Sequence, residues 1–248
     1  MNIRLIAFDL DGTLLNSEKT VSPRTKAALT RAAEHGVVLV PATGRLHRDL
    51  PADVASLPSL RYVIAINGAE VFDLKEDRLL YQAELDRTDA LELMKYMDTL
   101  PAIYGWYQGG QGFISSRYYE RMKDFAHAPW LFDSMKRAYT PTDHPEKTLF
   151  EEESGPQKLQ LYFRDMEARK KALKEIPSRF PQCAVSSSLP INIEVNAGGP
   201  PASAWRPSSA RSRTPGAPAH CGCRPALPPR GLHSCSRRAW KACRRRHS

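Results

Sequence analysis

The chain changes character once, after Gly199, and that change limits what can fold. From Pro200 to Ser248 there is no Ile, Val, Met, Phe, Tyr, Asp, Glu, Asn or Gln, against eight Pro and eleven Lys or Arg. Only Leu227, Leu232, Trp205 and Trp240 could anchor a core there. So little apolar surface cannot offset the entropy of ordering the segment, and a disordered basic tail is expected over 200–248. The formal charge of +9 belongs to that tail. Residues 1–199 hold all 27 acidic groups and 25 of the 36 basic ones, a net of −2. The body therefore lacks the basic footprint of a nucleic-acid binder. It also holds a single cysteine, Cys183, which provides no disulfide framework and suits a reducing compartment. Met1 to Leu10 shows no basic-then-apolar leader, and no apolar run approaches the ~18–20 residues that span a bilayer. These features predict a cytoplasmic protein without a membrane partner.

Within the body, three short apolar runs each end in a polar loop. Ile3 to Leu10 predicts a buried parallel strand that opens at Asp-Gly. Ser22-Pro23 marks a helix start and Gly36 its end, with Leu29, Ala32 and Ala33 on one face. Val37 to Val40 and Tyr62 to Ile66 are the second and third strands. Strand, helix, strand, helix, strand argues for an α/β fold with a parallel sheet, and right-handed crossovers place all three loops at one sheet edge. Beyond Ala69, Val71-Phe72 and Leu79 to Tyr81 flank Lys75-Glu76-Asp77 as a hairpin. Helices are expected at Thr88–Leu100 and Asp165–Ile176, and strands at 102–107, 112–116, 159–163 and 184–187. This divides the chain into a first core part (1–82), an inserted α+β domain (83–188), a return to the core through Ile191–Val195 (189–199), and the tail.

Asp9-Leu10-Asp11-Gly12-Thr13-Leu14 follows the first strand directly. Two carboxylates two apart at a strand end, with a glycine to sharpen the turn, can face one polar cavity: one as nucleophile and metal ligand, the other as proton carrier. Ala42-Thr43-Gly44-Arg45 follows the second strand, where a hydroxyl and free backbone amides suit a phosphate oxygen or simply cap a helix. Ile64-Ala65-Ile66-Asn67-Gly68-Ala69 follows the third. In this order the segments resemble the haloacid dehalogenase superfamily phosphatases, and the Asn-Gly-Ala run resembles the Cof-type subclass (IIB), whose large α+β cap lies between the second and third motifs. The resemblance covers Met1 to about Gly199. It implies a Rossmann-like core with an inserted cap and an aspartyl-phosphate mechanism, with Mg²⁺ as cofactor and a small phosphorylated metabolite, such as a sugar phosphate, as substrate. Asp9 would attack phosphorus, Asp11 would protonate the leaving oxygen and then activate water, and Asp9 and Asp11 would hold the metal. Thr43, Gly44, Arg45 and Asn67 would bind phosphate or substrate, with Arg45 facing either substrate or an acidic partner. Lys158 is read as a solvated strand residue, and Trp106, Tyr107 and Trp130 as cap core or pocket lining alike.

The same resemblance requires a later Lys-Gly pair and a late Asp-containing magnesium motif. No Lys stands between Lys174 and Lys241, and the tail has no Asp or Glu. Mg²⁺ takes oxygen ligands, carboxylates above all, so the tail cannot complete the site. Impaired catalysis is expected. A shifted reading frame in a GC-rich gene accounts for the tail's composition. The alternatives are a basic arm for nucleic acid, which the lack of periodicity and of an aromatic platform disfavours, and a metal site from Cys221, Cys223, Cys235, Cys243 and neighbouring histidines, whose spacing matches no zinc knuckle. A non-catalytic remnant or a nucleic-acid-binding protein is thus the competing function. If further sheet strands are lost with the tail, the Asp9 strand exposes an apolar edge, and poor solubility follows.

Overall fold

A computed structural model describes residues 3–57 and 59–198. The tail, for which disorder and a shifted reading frame are expected, lies outside the described residues. The first sheet runs in the order β1 (Leu5–Asp9), β2 (Val38–Ala42), β3 (Tyr62–Ala65), β4 (Glu70–Asp73) and β5 (Arg78–Gln82). β1, β2 and β3 are parallel, whereas β4 and β5 return antiparallel as the expected hairpin. The helix Pro23–Glu34 crosses from β1 to β2; the Ser22 hydroxyl caps it by accepting from the Thr25 N–H, and Pro23 sits in its first turn. Leu29 from this helix packs with Leu10, Leu15, Val21, Leu39, Val54 and Leu57 into a small core.

β1 departs from the expected burial. Its parallel pairing holds, but every second residue faces solvent, and Leu5 is 56% exposed. Parallel strands are normally covered on both faces. Among the described residues β1 pairs with β2 alone, so it forms a sheet edge with one face open.

The second sheet is larger. Its order is β10 (Cys183–Ser186), β11 (Asn192–Ala197), β9 (Lys158–Phe163), β6 (Ala102–Gln108), β7 (Gln111–Ser115) and β8 (Thr140–Thr142), all antiparallel except β7 with β8. The helices Arg87–Met97 and Met166–Arg179 contribute Leu93, Met97, Ala172 and Ile176 to a core that also holds Trp106, Leu161 and Phe163. Asp86 and Asp165 cap these two helices through their carboxylates.

One expected boundary is corrected. The strand expected to return to the first sheet within 189–199, β11 (Asn192–Ala197), instead pairs with β9 on one side and β10 on the other. The reason lies in its alternation. Ile193 and Val195 fill the apolar core of the second sheet, while Asn192, Glu194 and Asn196 form a buried polar row on the opposite face. A strand covered on both faces of a parallel sheet would instead read apolar throughout.

Candidate active site

Register brings the three loops together. Asp9 lies opposite Ala42 across β1 and β2, and Ala42 opposite Ile64 across β2 and β3, so the strands end side by side. After β1 the chain turns tightly: Leu14 N–H and Leu15 N–H donate to the carbonyls of Asp9 and Leu10, with Gly12 at φ +85°, a conformation glycine adopts without strain. The Thr13 hydroxyl donates to Asp9 Oδ2 at 2.9 Å.

Asp11 is clamped. Arg45 donates through Nε to Oδ2 at 2.8 Å and through Nη2 to Oδ1 at 2.9 Å, and Lys19 Nζ reaches Oδ1 at 3.0 Å. This two-pronged guanidinium grip is the stronger class of ion pair. Hydrogen bonding by Arg45, followed by that of Lys19, outweighs partial burial and lowers the Asp11 pKa to about 2. Of the two roles open to Arg45, the structure shows it on the acidic partner.

Thr43 is buried, and its hydroxyl accepts from the Arg45 N–H at 3.3 Å. Its backbone ties to the third loop through Thr43 N–H to Ile64 O and Asn67 N–H to Thr43 O. Gly44 packs so tightly that a Cβ there would lie 2.6 Å from Asn67 Oδ1. Ile66 and Asn67 both sit at positive φ, +52° and +59°. A β-branched residue in that region is strained and must be held by its surroundings.

The holding groups come from β9 and β11. Asn196 Nδ2 donates to Ile66 O at 3.2 Å, and Asn67 Nδ2 donates to Glu194 Oε2 at 2.6 Å. Lys158, expected in solvent, is 2% exposed and donates to Gly44 O at 2.8 Å. Its ammonium is 4.0 Å from Glu194 and 4.6 Å from the Tyr107 ring centroid. Burial lowers its pKa, with Glu194 opposing. Sequence reading missed Lys158, Glu194 and Asn196. The available signal was a polar residue at every second position of two apolar strands, which cross-strand pairing of Glu194 with Gln160 and of Asn196 with Lys158 gathers on one face.

The six residues expected at the site thus share one end of the first sheet. Asp11 meets Arg45, and Gly44 meets Asn67. Among the described residues no three acidic, His or Cys side chains cluster as a metal site, and the Asp11 carboxylate is held by Arg45 and Lys19.

Residues 6–200 match the family model described as haloacid dehalogenase-like hydrolase. The chain belongs to that family. The match ends where the composition breaks. As a haloacid dehalogenase-like hydrolase of the Cof-type, the chain is 36% identical over 107 residues to the phosphatase YwpJ of Bacillus subtilis (strain 168), covering 43% of this chain and 37% of that one. It is 32% identical over 172 residues to the HMP-PP phosphatase of Shigella boydii serotype 4 (strain Sb227), covering 64% and 62%. The matches to YwpJ and to two further curated phosphatases span 37–41% of those proteins' length. A haloacid dehalogenase-like hydrolase from B. subtilis superposes with a TM-score of 0.66 at 22% identity, over 79% of this chain and 74% of that one, and so shares the fold.

Proposed function

We propose that the chain derives from a phosphohydrolase for small phosphorylated metabolites, sugar phosphates among them, acting through an aspartyl-phosphate on Asp9. The observation that carries this reading is the meeting of the Asp9-x-Asp11 turn with the Thr43–Arg45 loop at one sheet edge. An Asp9 carboxylate oxygen attacks phosphorus; the new O–P bond forms as the bond to the leaving alcohol oxygen breaks. Water then attacks the phosphoryl group and releases inorganic phosphate, restoring Asp9. The Thr43 hydroxyl and the Gly44 N–H receive a phosphoryl oxygen.

Asp11 must carry a proton to the leaving oxygen, and with a pKa of about 2 it carries none at neutral pH. Arg45 is the largest cause of that shift. A bound phosphate competes for Arg45 and brings negative charge beside Asp11; both raise the Asp11 pKa from its clamped value, the direction that acid catalysis needs. Family likeness brings Mg²⁺ into the proposal, with the Asp9 carboxylate and the Asp11 main-chain carbonyl as hard oxygen ligands. In the same reading the late Lys and carboxylates that the resemblance requires are missing from the sequence, and catalysis is impaired. A cytoplasmic location and a frame-shifted tail belong to the same proposal; among the described residues no helix is long and apolar enough to cross a membrane.

Hydrolysis of an aryl phosphate with and without Mg²⁺, beside Asp9→Asn, tests the reading. Magnesium-dependent turnover that disappears in Asp9→Asn supports it, and equal rates in both proteins refute it. The open edge of β1 among the described residues favours a second reading, a non-catalytic remnant; a basic nucleic-acid binder is the remaining alternative. Retardation of DNA that depends on residues 200–248, without hydrolysis, would select it. Nucleotide sequence around codon 199, read in three frames, tests the altered frame.

A further inference from the structure

Of the three aromatic residues that the sequence left between core and pocket, the structure separates one. Trp106 and Tyr107 are buried in β6, whereas Trp130 is 51% exposed. Its helix, Pro129–Ala138, docks through Leu131 and Met135, one turn apart on the same face. Trp130 lies off that face. Its ring instead meets Lys19, whose ammonium is 5.9 Å from the ring centroid and 3.0 Å from Asp11 Oδ1. One cation therefore joins an exposed indole of the inserted domain to the acid of the candidate site.

The partners of Trp130 are held in place. Lys19 has left-handed backbone (φ +60°) within a turn closed by Lys19 N–H to Asn16 O and Asn16 N–H to Thr20 O, with Asn16 Oδ1 accepting from Glu18 N–H and Thr20 N–H. His127 stands perpendicular to the indole, ring centroids 6.1 Å apart. A half-exposed indole with a cation over its ring, beside a charged site, is suited to stacking a flat ring.

We propose that Trp130 is a specificity-determining residue that stacks on a flat, π-rich leaving group, so that the favoured substrates are phosphate monoesters of planar ring alcohols. This rests on the phosphohydrolase reading and narrows its substrate class. Lys19, over the same ring, adds a cation to the stack.

The test uses phosphonates, which bind without turnover, so that it does not depend on catalysis. Affinities of the full chain for methylphosphonate, cyclohexylphosphonate and phenylphosphonate are measured by calorimetry, beside Trp130→Ala and Trp130→Phe. Phenylphosphonate is expected to bind about fivefold tighter than the equally large but puckered cyclohexylphosphonate. Trp130→Ala should abolish that preference, Trp130→Phe should keep most of it, and methylphosphonate affinity should stay the same in all three proteins. Equal binding of the two rings by the unaltered chain, or a preference that survives Trp130→Ala, overturns the proposal alone. No binding of any phosphonate overturns the phosphohydrolase reading, and the proposal with it.

Discussion

Replacing Lys158 by methionine should cost about 3 kcal/mol of stability, and the figure follows from what its ammonium leaves behind. The Lys158 and Glu194 side chains are both almost fully buried, 4.0 Å apart. Removing one member of a buried pair strands the other, which typically costs about 3–5 kcal/mol. Glu194 would not be stranded entirely. It still accepts from Asn67 Nδ2, Gln160 Nε2, Ser188 Oγ and Asn192 Nδ2, which places the loss at the low end. The Gly44 carbonyl loses its donor as well, so the Thr43–Arg45 loop loosens together with the fold. Methionine fills similar volume, which keeps a cavity out of the comparison. Urea unfolding of both proteins, followed by circular dichroism and by tryptophan fluorescence, measures the difference. A loss below about 1 kcal/mol, with coincident transitions, would show that the ammonium is not the buried clamp described here.

Three further outcomes are expected. Arg45→Ala should raise the Asp11 pKa from about 2 toward the ordinary carboxylate value, read by carbon NMR of its side chain. Because the native value is the depressed one, the clamp's contribution is present above the unfolded value of about 4 and is lost as pH falls through about 2; an unchanged pKa in the variant would refute the assignment. Gly44→Ala puts a Cβ 2.6 Å from Asn67 Oδ1, displacing Asn67 from Glu194; it should weaken inorganic phosphate binding and cost about 1–3 kcal/mol, and unaltered affinity and melting would count against the packing. Leu5→Lys on the exposed edge should reduce light scattering of concentrated protein with little change in Tm, whereas equal scattering would exclude that edge as the cause of association.

The strand-loop order was readable because each element carries its own local signal: Ser22-Pro23 starts a helix, Gly12 permits a turn, and Asp9, Thr43 and Asn67 close apolar runs. Parallel pairing then places those loops at one edge. The place of β11 was not readable as an apolar run, since a strand's partners are set by what its two faces meet. Glu194 and Asn196 are polar because they meet Lys158, Gln160 and Asn67, residues between 34 and 129 positions away in the chain. Lys158 misled for the same reason: lysine is usually solvated, and only the carbonyl of Gly44 and the carboxylate of Glu194 explain its burial. Arg45 was legible as a site residue, but whether it faced phosphate or carboxylate depended on the position of Asp11.

The central claim is that Asp9 is the atom donor to phosphorus. The most direct measurement is mass spectrometry of the chain, acid-quenched after incubation with acetyl phosphate and Mg²⁺ and then digested. One added phosphoryl group on the peptide that contains Asp9, missing in Asp9→Asn and labile to hydroxylamine, is the predicted result. A phosphoryl group that maps to Asp11 or elsewhere, or an adduct that persists in Asp9→Asn, would contradict the account.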